Sequence, residues 1–188
     1  GQGPGMTCGK IDFRCRRCRL SEKRTQVVPG SGSCRSRIAF IGEAPGKDED
    51  LKGMPFVGRA GRLLDRALEQ AGASRNEVFI CNLVKCRPPK NRRPRKDEIA
   101  ACSRYLRSEL QTVRPEVVVA LGQTVAESFL KGRRKILDIV GCESAITICG
   151  RRVRFFATYH PAACLYQRKN LKAFNESIRA SLRAARMV

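Results

Sequence analysis

Cysteine and histidine carry much of the reactive chemistry in this chain, and both are placed unevenly. Cys15 and Cys18 stand three positions apart in "CRRCRL" (15–20), a spacing that lets two thiolates reach one metal or cluster. Arg14, Arg16, Arg17 and Arg19 crowd the pair and favour the thiolate form. Such a pair is half of a four-ligand site, so the other half must come from elsewhere in the chain. The single histidine, His160, closes an apolar run and precedes a proline. Glu43 and Asn82 stand at the ends of two other apolar runs. A carboxylate, a carboxamide and an imidazole can orient water, read a hydrogen-bonding edge and steady a developing charge, provided the fold brings them together.

The elements that would do so follow from the apolar pattern. Four runs have strand length: "RIAFIG" (37–42), "EVFICN" (77–82), "EVVVALG" (116–122) and "VRFFATYH" (153–160). All but the last lack alternation, as strands buried on both faces do. Between them lie helical stripes: Leu63, Leu64, Ala67, Leu68 and Ala71, stopped by Gly72; then Ile99, Cys102, Leu106, Leu110 and Val113, ended by Pro115. Val125, Ala126, Phe129 and Leu130 form a shorter stripe, and Leu171, Phe174, Ile178 and Leu182 the last. Strands alternating with helices predict an α/β fold, a single three-layer α/β/α domain over residues 6–188 with a central, mostly parallel four-stranded sheet. Ligands of such a sheet bind outside the carboxyl ends of its strands. Glu43, Asn82 and His160 would then share one rim.

Bulk properties narrow the partner. Lys and Arg outnumber Asp and Glu by 38 to 17 in 188 residues, a formal net charge of +21; such an excess points to a polyanion, nucleic acid first. No stretch approaches the ~20 apolar residues of a membrane span and no signal-peptide core is visible, so a cytoplasmic location is expected. Ten cysteines in a chain of this size and compartment imply metal binding or burial rather than a disulfide framework, and most should be reduced. "GQGPG" ahead of Met6 reads as a cloning remnant.

Four blocks carry a resemblance. "GEAPGKDED" (42–50), "PFVGRAG" (55–61), "CNLVKCRPPKNRRP" (81–94) and "YHPAAC" (159–164), in this order and approximate spacing, resemble the family 4 uracil-DNA glycosylases, the thermostable iron-sulfur branch. The resemblance runs from about Cys15 to the final helix. It implies excision of uracil from single- or double-stranded DNA to leave an abasic site, the first step in base excision repair of deaminated cytosine. It implies that Cys15, Cys18, Cys86 and Cys102 hold a structural 4Fe-4S cluster, with Arg87 adding to the positive surroundings. Four thiolates taken alone would also suit zinc. Cys8, Cys34, Cys81, Cys142, Cys149 and Cys164 are then expected as small buried or loop residues.

The resemblance also implies roles at the rim. Phe56 stacks on a flipped-out uracil, Asn82 pairs with its N3–H and O4, and His160 supports O2 as the base departs. Backbone N–H groups around Gly42, Glu43 and Ala44 contact the same base, and Glu49 fills the space a thymine methyl would need. Ala44 occupies the position where the best-studied uracil glycosylases carry an aspartate, which leaves Glu43 and Asn91 as the candidates to handle water. DNA would be gripped by "KCRPPKNRRPRK" (Lys90, Arg92 and Arg93 foremost), by "KGRRK" (131–135) and by the segment after His160, where Leu165 or Tyr166 would wedge the duplex beside Arg168. A monomer is expected, with a sliding clamp as candidate partner. The alternative is a non-catalytic nucleic-acid-binding module built round a four-cysteine metal. A pocket assembled from Glu43, Phe56, Asn82 and His160 separates the two, since a pure binder needs no base-sized cavity.

Overall fold

The four apolar runs form adjacent, mutually parallel strands in the computed structural model, which describes residues 7–132 and 134–188. The "GQGPG" segment and Arg133 of "KGRRK" lie outside the described residues. In chain order the strands are β1 (Ser31–Gly32), β2 (Ile38–Gly42), β3 (Phe79–Asn82), β4 (Val117–Leu121), β5 (Glu143–Ile148) and β6 (Arg151–Thr158). They are arranged β1-β3-β2-β4-β6-β5, with β3, β2, β4 and β6 parallel and the two edge strands antiparallel. The sheet therefore has six strands where four were expected. Both additions are edges: β1 is only two residues long, and β5 is largely exposed, so neither prints an apolar run.

β2 and β4 are apolar throughout, and β3 up to Asn82, because each is covered by a helical layer on both sides and successive side chains point to opposite faces; β6 becomes fully buried only from Phe155 onward. Ile38, Phe40, Val117, Val119 and Phe156 pack with Leu64 and Leu68 of α2 (Arg59–Gln70) and with Phe174, Ile178 and Leu182 of α7 (Lys169–Ala184). The alternate set, Ala39, Ile41, Val118, Ala120 and Phe155, packs with Leu106 and Leu110 of α3 (Lys96–Val113) and with Val125 and Ala126 of α4 (Gln123–Phe129). This is the expected three-layer α/β/α arrangement. Three short helices complete it: α1 (Lys47–Lys52), α5 (Ile136–Ile139) and α6 (Pro161–Tyr166). Among the described residues no helix is long and apolar enough to cross a membrane.

Register sets the functional rim. Gly42 pairs with Asn82 across β2 and β3, and Leu121 with Thr158 across β4 and β6, so the carboxyl ends of all four parallel strands finish at one edge of the sheet. The N-terminal segment lies over the loop after β3 and over α3, where Leu20, Val27, Val84, Cys86, Cys102 and Tyr105 form a third apolar cluster. Cys8 and Cys34 are disulfide-bonded, which corrects the expectation that both are unpaired. The eight other cysteines are free, with Cys81 and Cys164 buried and Cys142 and Cys149 exposed.

One charged pair is fully enclosed. Lys85 and Glu109 each have side chains 1% exposed and form an ion pair. The Lys85 ammonium also donates to the Asn82 carbonyl at 2.8 Å, and Glu109 accepts from the Gly30 N–H at 2.7 Å. Burial alone would depress the lysine, but the Glu109 carboxylate outweighs it and holds the ammonium charged, above its ordinary range. Lys85 is thus not among the DNA-facing cations of "KCRPPKNRRPRK". Replacing one partner strands the other charge, so Lys85→Met should cost about 3–5 kcal/mol in urea denaturation, and Lys85→Met with Glu109→Leu should recover most of that loss.

Candidate functional site

The rim of the sheet opens into a cavity of about 490 Å³ whose walls include Glu43, Ala44, Glu49, Phe56, Asn82, Asn91 and His160. That volume falls in the range of small-molecule sites. Glu43 and His160, 117 positions apart in the chain, converge here because each follows a parallel strand end.

Asn82, the last residue of β3, is 2% exposed, and its Oδ1 has no hydrogen-bond partner. Leaving a buried acceptor unpaired costs about 1–3 kcal/mol, so such atoms are uncommon and call for an explanation. Gly42, opposite in the register, makes room for it: a Cβ there would lie 2.5 Å from Asn82 Oδ1 and run into the Phe56 ring. The turns beyond β2 and β3 are tied together, Leu83 and Val84 donating to the carbonyls of Gly42 and Glu43 at 2.9 and 3.3 Å.

Phe56 is buried and adopts φ of +52°, the left-handed region that residues with a Cβ seldom occupy. The cost is of order 1–3 kcal/mol, held in place by surrounding structure. Its ring centroid is 5.8 Å from that of His160, with the planes tilted by 31°. Glu49 lines the cavity, but its carboxylate is also a bracket. Oε1 accepts from Gly46 N–H at 3.1 Å, and Oε2 from Val57 and Gly58 N–H at 2.8 Å each. The acidic side chain therefore holds the loop that carries Phe56, a use not foreseen for it.

His160 caps α6, its Nδ1 accepting from the Ala162 N–H at 3.1 Å. Burial pushes its pKa down to about 4, with the nearby Glu49 carboxylate opposing that only weakly. The imidazole is accordingly neutral, and because Nδ1 is an acceptor its proton sits on Nε2. Gly122, at the end of β4, has φ of +104°, and a Cβ there would stand 3.2 Å from the His160 Cβ. A glycine at that strand end lets the histidine close over the sheet.

The basic loop is less uniform than its composition suggests. Arg92 makes two bonds, of 2.7 and 3.2 Å, to Glu98, which is fully buried; its guanidinium anchors the loop to α3 rather than standing free. Arg93 also lines the cavity, Lys90 is exposed beside it, and Asn91 stands at the mouth with its Oδ1 accepting from Arg87 at 2.7 Å. Beyond the histidine, Leu165 packs partly against the core while Tyr166 is 82% exposed and Arg168 is exposed. Of the two wedge candidates, the tyrosine is the one that projects.

Cys15, Cys18, Cys86 and Cys102 line a separate small cavity with Arg24, Lys85 and Tyr105. Arg24 donates to the Cys86 sulfur at 3.5 Å and the Lys85 N–H to the Cys102 sulfur at 3.3 Å. Such donors stabilise ligating thiolates. Among the described residues no three ligating side chains close upon a point that would hold a single metal ion.

Sequence reading missed Lys85 and Arg75, which position these groups, and named Arg92 for DNA contact without its tie to Glu98. Lys85 and Arg92 were hidden in a run of exposed-looking cations, and Arg75, which holds the Phe56 loop from behind, had no motif around it. The glycines at 42, 61 and 122 were the available signal, since each marks a close backbone approach.

Comparison with known proteins agrees with this geometry. The sequence model of the Uracil DNA glycosylase superfamily matches residues 29–182. The type-4 uracil-DNA glycosylase of Saccharolobus solfataricus is 43% identical over 171 residues, covering 88% of this chain and 79% of the relative. Those of Archaeoglobus fulgidus and Thermotoga maritima are each 43% identical over 157 residues, covering 81% and 84% of this chain and 79% and 81% of the relatives. A family match over most of the chain, joined to relatives of this identity, means that the chain belongs to the uracil-DNA glycosylase superfamily, in its type-4 branch.

Proposed function

We propose that this chain is a monofunctional uracil-DNA glycosylase that hydrolyses the N-glycosidic bond of a flipped-out uracil in DNA and leaves an abasic site. The observation that carries the reading is the unpartnered Oδ1 of Asn82, buried in a base-sized cavity beside Phe56 and His160. Uracil brings an N3–H to that acceptor and an O4 for the amide N–H₂. Cytosine brings an acceptor at N3 and a donor at C4, so both contacts would be mismatched. A site built around a hydrogen bond rejects a base that cannot make it far more strongly than an apolar pocket rejects a methyl group.

Cleavage moves the bonding electrons of C1′–N1 onto the base, so the sugar becomes cation-like and uracil leaves as an anion. The neutral Nε2–H of His160 donates to O2 and spreads that charge without transferring its proton. Water then bonds to C1′, oriented by Glu43 on the cavity wall with Asn91 at the mouth, and loses its proton to the carboxylate or to solvent. Phe56 supplies the stacking face, and Glu49 borders the base while bracing the loop. Lys90 and Arg93 meet phosphates at the mouth, Tyr166 fills the gap left by the extruded nucleotide, and Arg168 adds charge beside it. Arg92 contributes to DNA binding chiefly by shaping the loop.

The same reading assigns Cys15, Cys18, Cys86 and Cys102 as ligands of a structural 4Fe-4S cluster. Its support is four free sulfurs around one cavity with N–H donors aimed at two of them. When bound, the group would cross-link the N-terminal segment, the loop after β3 and α3.

Three outcomes test this reading. Purified protein incubated with an oligonucleotide bearing one dU should give strand scission after alkali, and Asn82→Asp should lose about 10²-fold or more in uracil excision while gaining activity on cytosine; unaltered base preference in that variant removes Asn82 from recognition. Because His160 is held neutral down to about pH 4, kcat/KM should show no acid limb near 6.5. The unfolded chain takes up that proton near 6.5 and the folded one only near 4, so stability is intact above pH 6.5 and drains as the pH falls from there towards 4. Metal analysis and visible spectroscopy of anaerobically purified protein should give iron, sulfide and a broad absorption band; a colourless protein with stoichiometric zinc would overturn the cluster assignment.

A further inference from the structure

We propose that Arg75 is a positioning residue for base recognition: its guanidinium clasps the carbonyls of Pro55 and Phe56 and so sets the Phe56 ring as a stacking face. The inference rests on the stacking role assigned to Phe56 above.

Arg75 lies in the turn between α2 and β3, outside the cavity walls, with a side chain 19% exposed. All of its guanidinium nitrogens are used. Nε pairs with Asp65 of α2 at 2.8 Å, Nη1 donates to the Pro55 carbonyl at 2.9 Å, and Nη2 donates to the Phe56 carbonyl. The Phe56 carbonyl is confined from the other side as well, since a Cβ on Gly61 would run into it. The residue so gripped carries the phenyl ring that lines the cavity, and it holds φ of +52°. A backbone in that region returns to the extended or right-handed region once released, and such a return would swing the ring away from Gly42 and His160. The fork of an arginine suits this task because two parallel N–H groups fix two successive carbonyls while the third is anchored by Asp65. Lysine keeps the charge and loses the fork.

The test is a double-mutant cycle on dU excision with melting temperature followed alongside. Arg75→Lys should lower kcat/KM by about tenfold to a hundredfold and raise the inhibition constant of free uracil, with a melting temperature close to that of the parent. In a Phe56→Leu background, itself impaired, the same change should have little further effect, because the clasp acts only through the ring it holds. Asp65→Asn, which removes the anion that orients the guanidinium, should give a smaller loss with the same dependence on Phe56, and it serves if Arg75→Lys does not fold. Parental kcat/KM in Arg75→Lys, or equal losses in both backgrounds, would overturn the proposal while leaving Phe56 in its role. Full activity in Phe56→Leu alone would remove the stacking assignment and this inference with it.

Discussion

The ammonium of Lys85 sits where water does not reach, and one charge there ties the end of β3 to α3 and, through Glu109, to the segment ahead of β1. Its Nζ holds the carboxylate of Glu109 from α3 and the carbonyl of Asn82 from the end of β3, while its backbone N–H reaches the sulfur of Cys102. Glu109 in turn fixes Gly30 ahead of the edge strand. An uncompensated charge at this depth would be prohibitive, so all these groups must be present and aligned in any state that keeps Lys85 buried. The pocket amide, the cysteine cavity and the N-terminal segment are thereby registered against one another by electrostatics as well as by the apolar cluster around Leu20, Val84 and Tyr105, and of the two only the polar contacts are directional.

Around this node the site gathers arrangements that are unfavourable one by one. Asn82 keeps a buried acceptor without a donor, Phe56 holds a left-handed backbone, and His160 is half-buried deeply enough to be held neutral. Each persists because rigid surroundings leave no cheaper option: three completely buried strands and the buried half of a fourth beneath, the Glu49 bracket on one side of the Phe56 loop and the Arg75 clasp on the other. The common feature is preorganisation. Under the proposed function, a flipped base would find an acceptor, a flat face and a neutral N–H donor already in place, the free energy of ordering them having been spent when the chain folded.

Much of this was legible in the residue pattern, for identifiable reasons. Three of the four parallel strands announce themselves because burial on both faces demands unbroken apolar runs, the fourth shows its apolar stretch only in its second half, and the strand ends name Glu43, Asn82 and His160 at once. The edge strands do not, since β5 faces solvent and β1 is too short to show a period. The Cys8–Cys34 bond was illegible because pairing depends on a Cα separation, here 5.3 Å, that no spacing along the chain reveals. Lys85 and Arg92 misled in the same way: in a run of cations every charge reads as free and exposed, and only buried carboxylates contributed by α3 show that Lys85 is enclosed with Glu109 and that Arg92, still partly exposed, is tied to Glu98.

By itself, then, the order of residues determined the layered α/β architecture, the rim where chemistry would gather and the polyanionic character of the partner, because periodicity, strand termini and net charge are properties of the chain read locally or summed. Tertiary structure alone decided which charges are buried, that Asn82 Oδ1 lacks a partner, that His160 bears its proton on Nε2 and that Phe56 is bent into place by a distant arginine. Those are facts about solvation and proximity between segments far apart in the chain, and they come into being only when the segments meet.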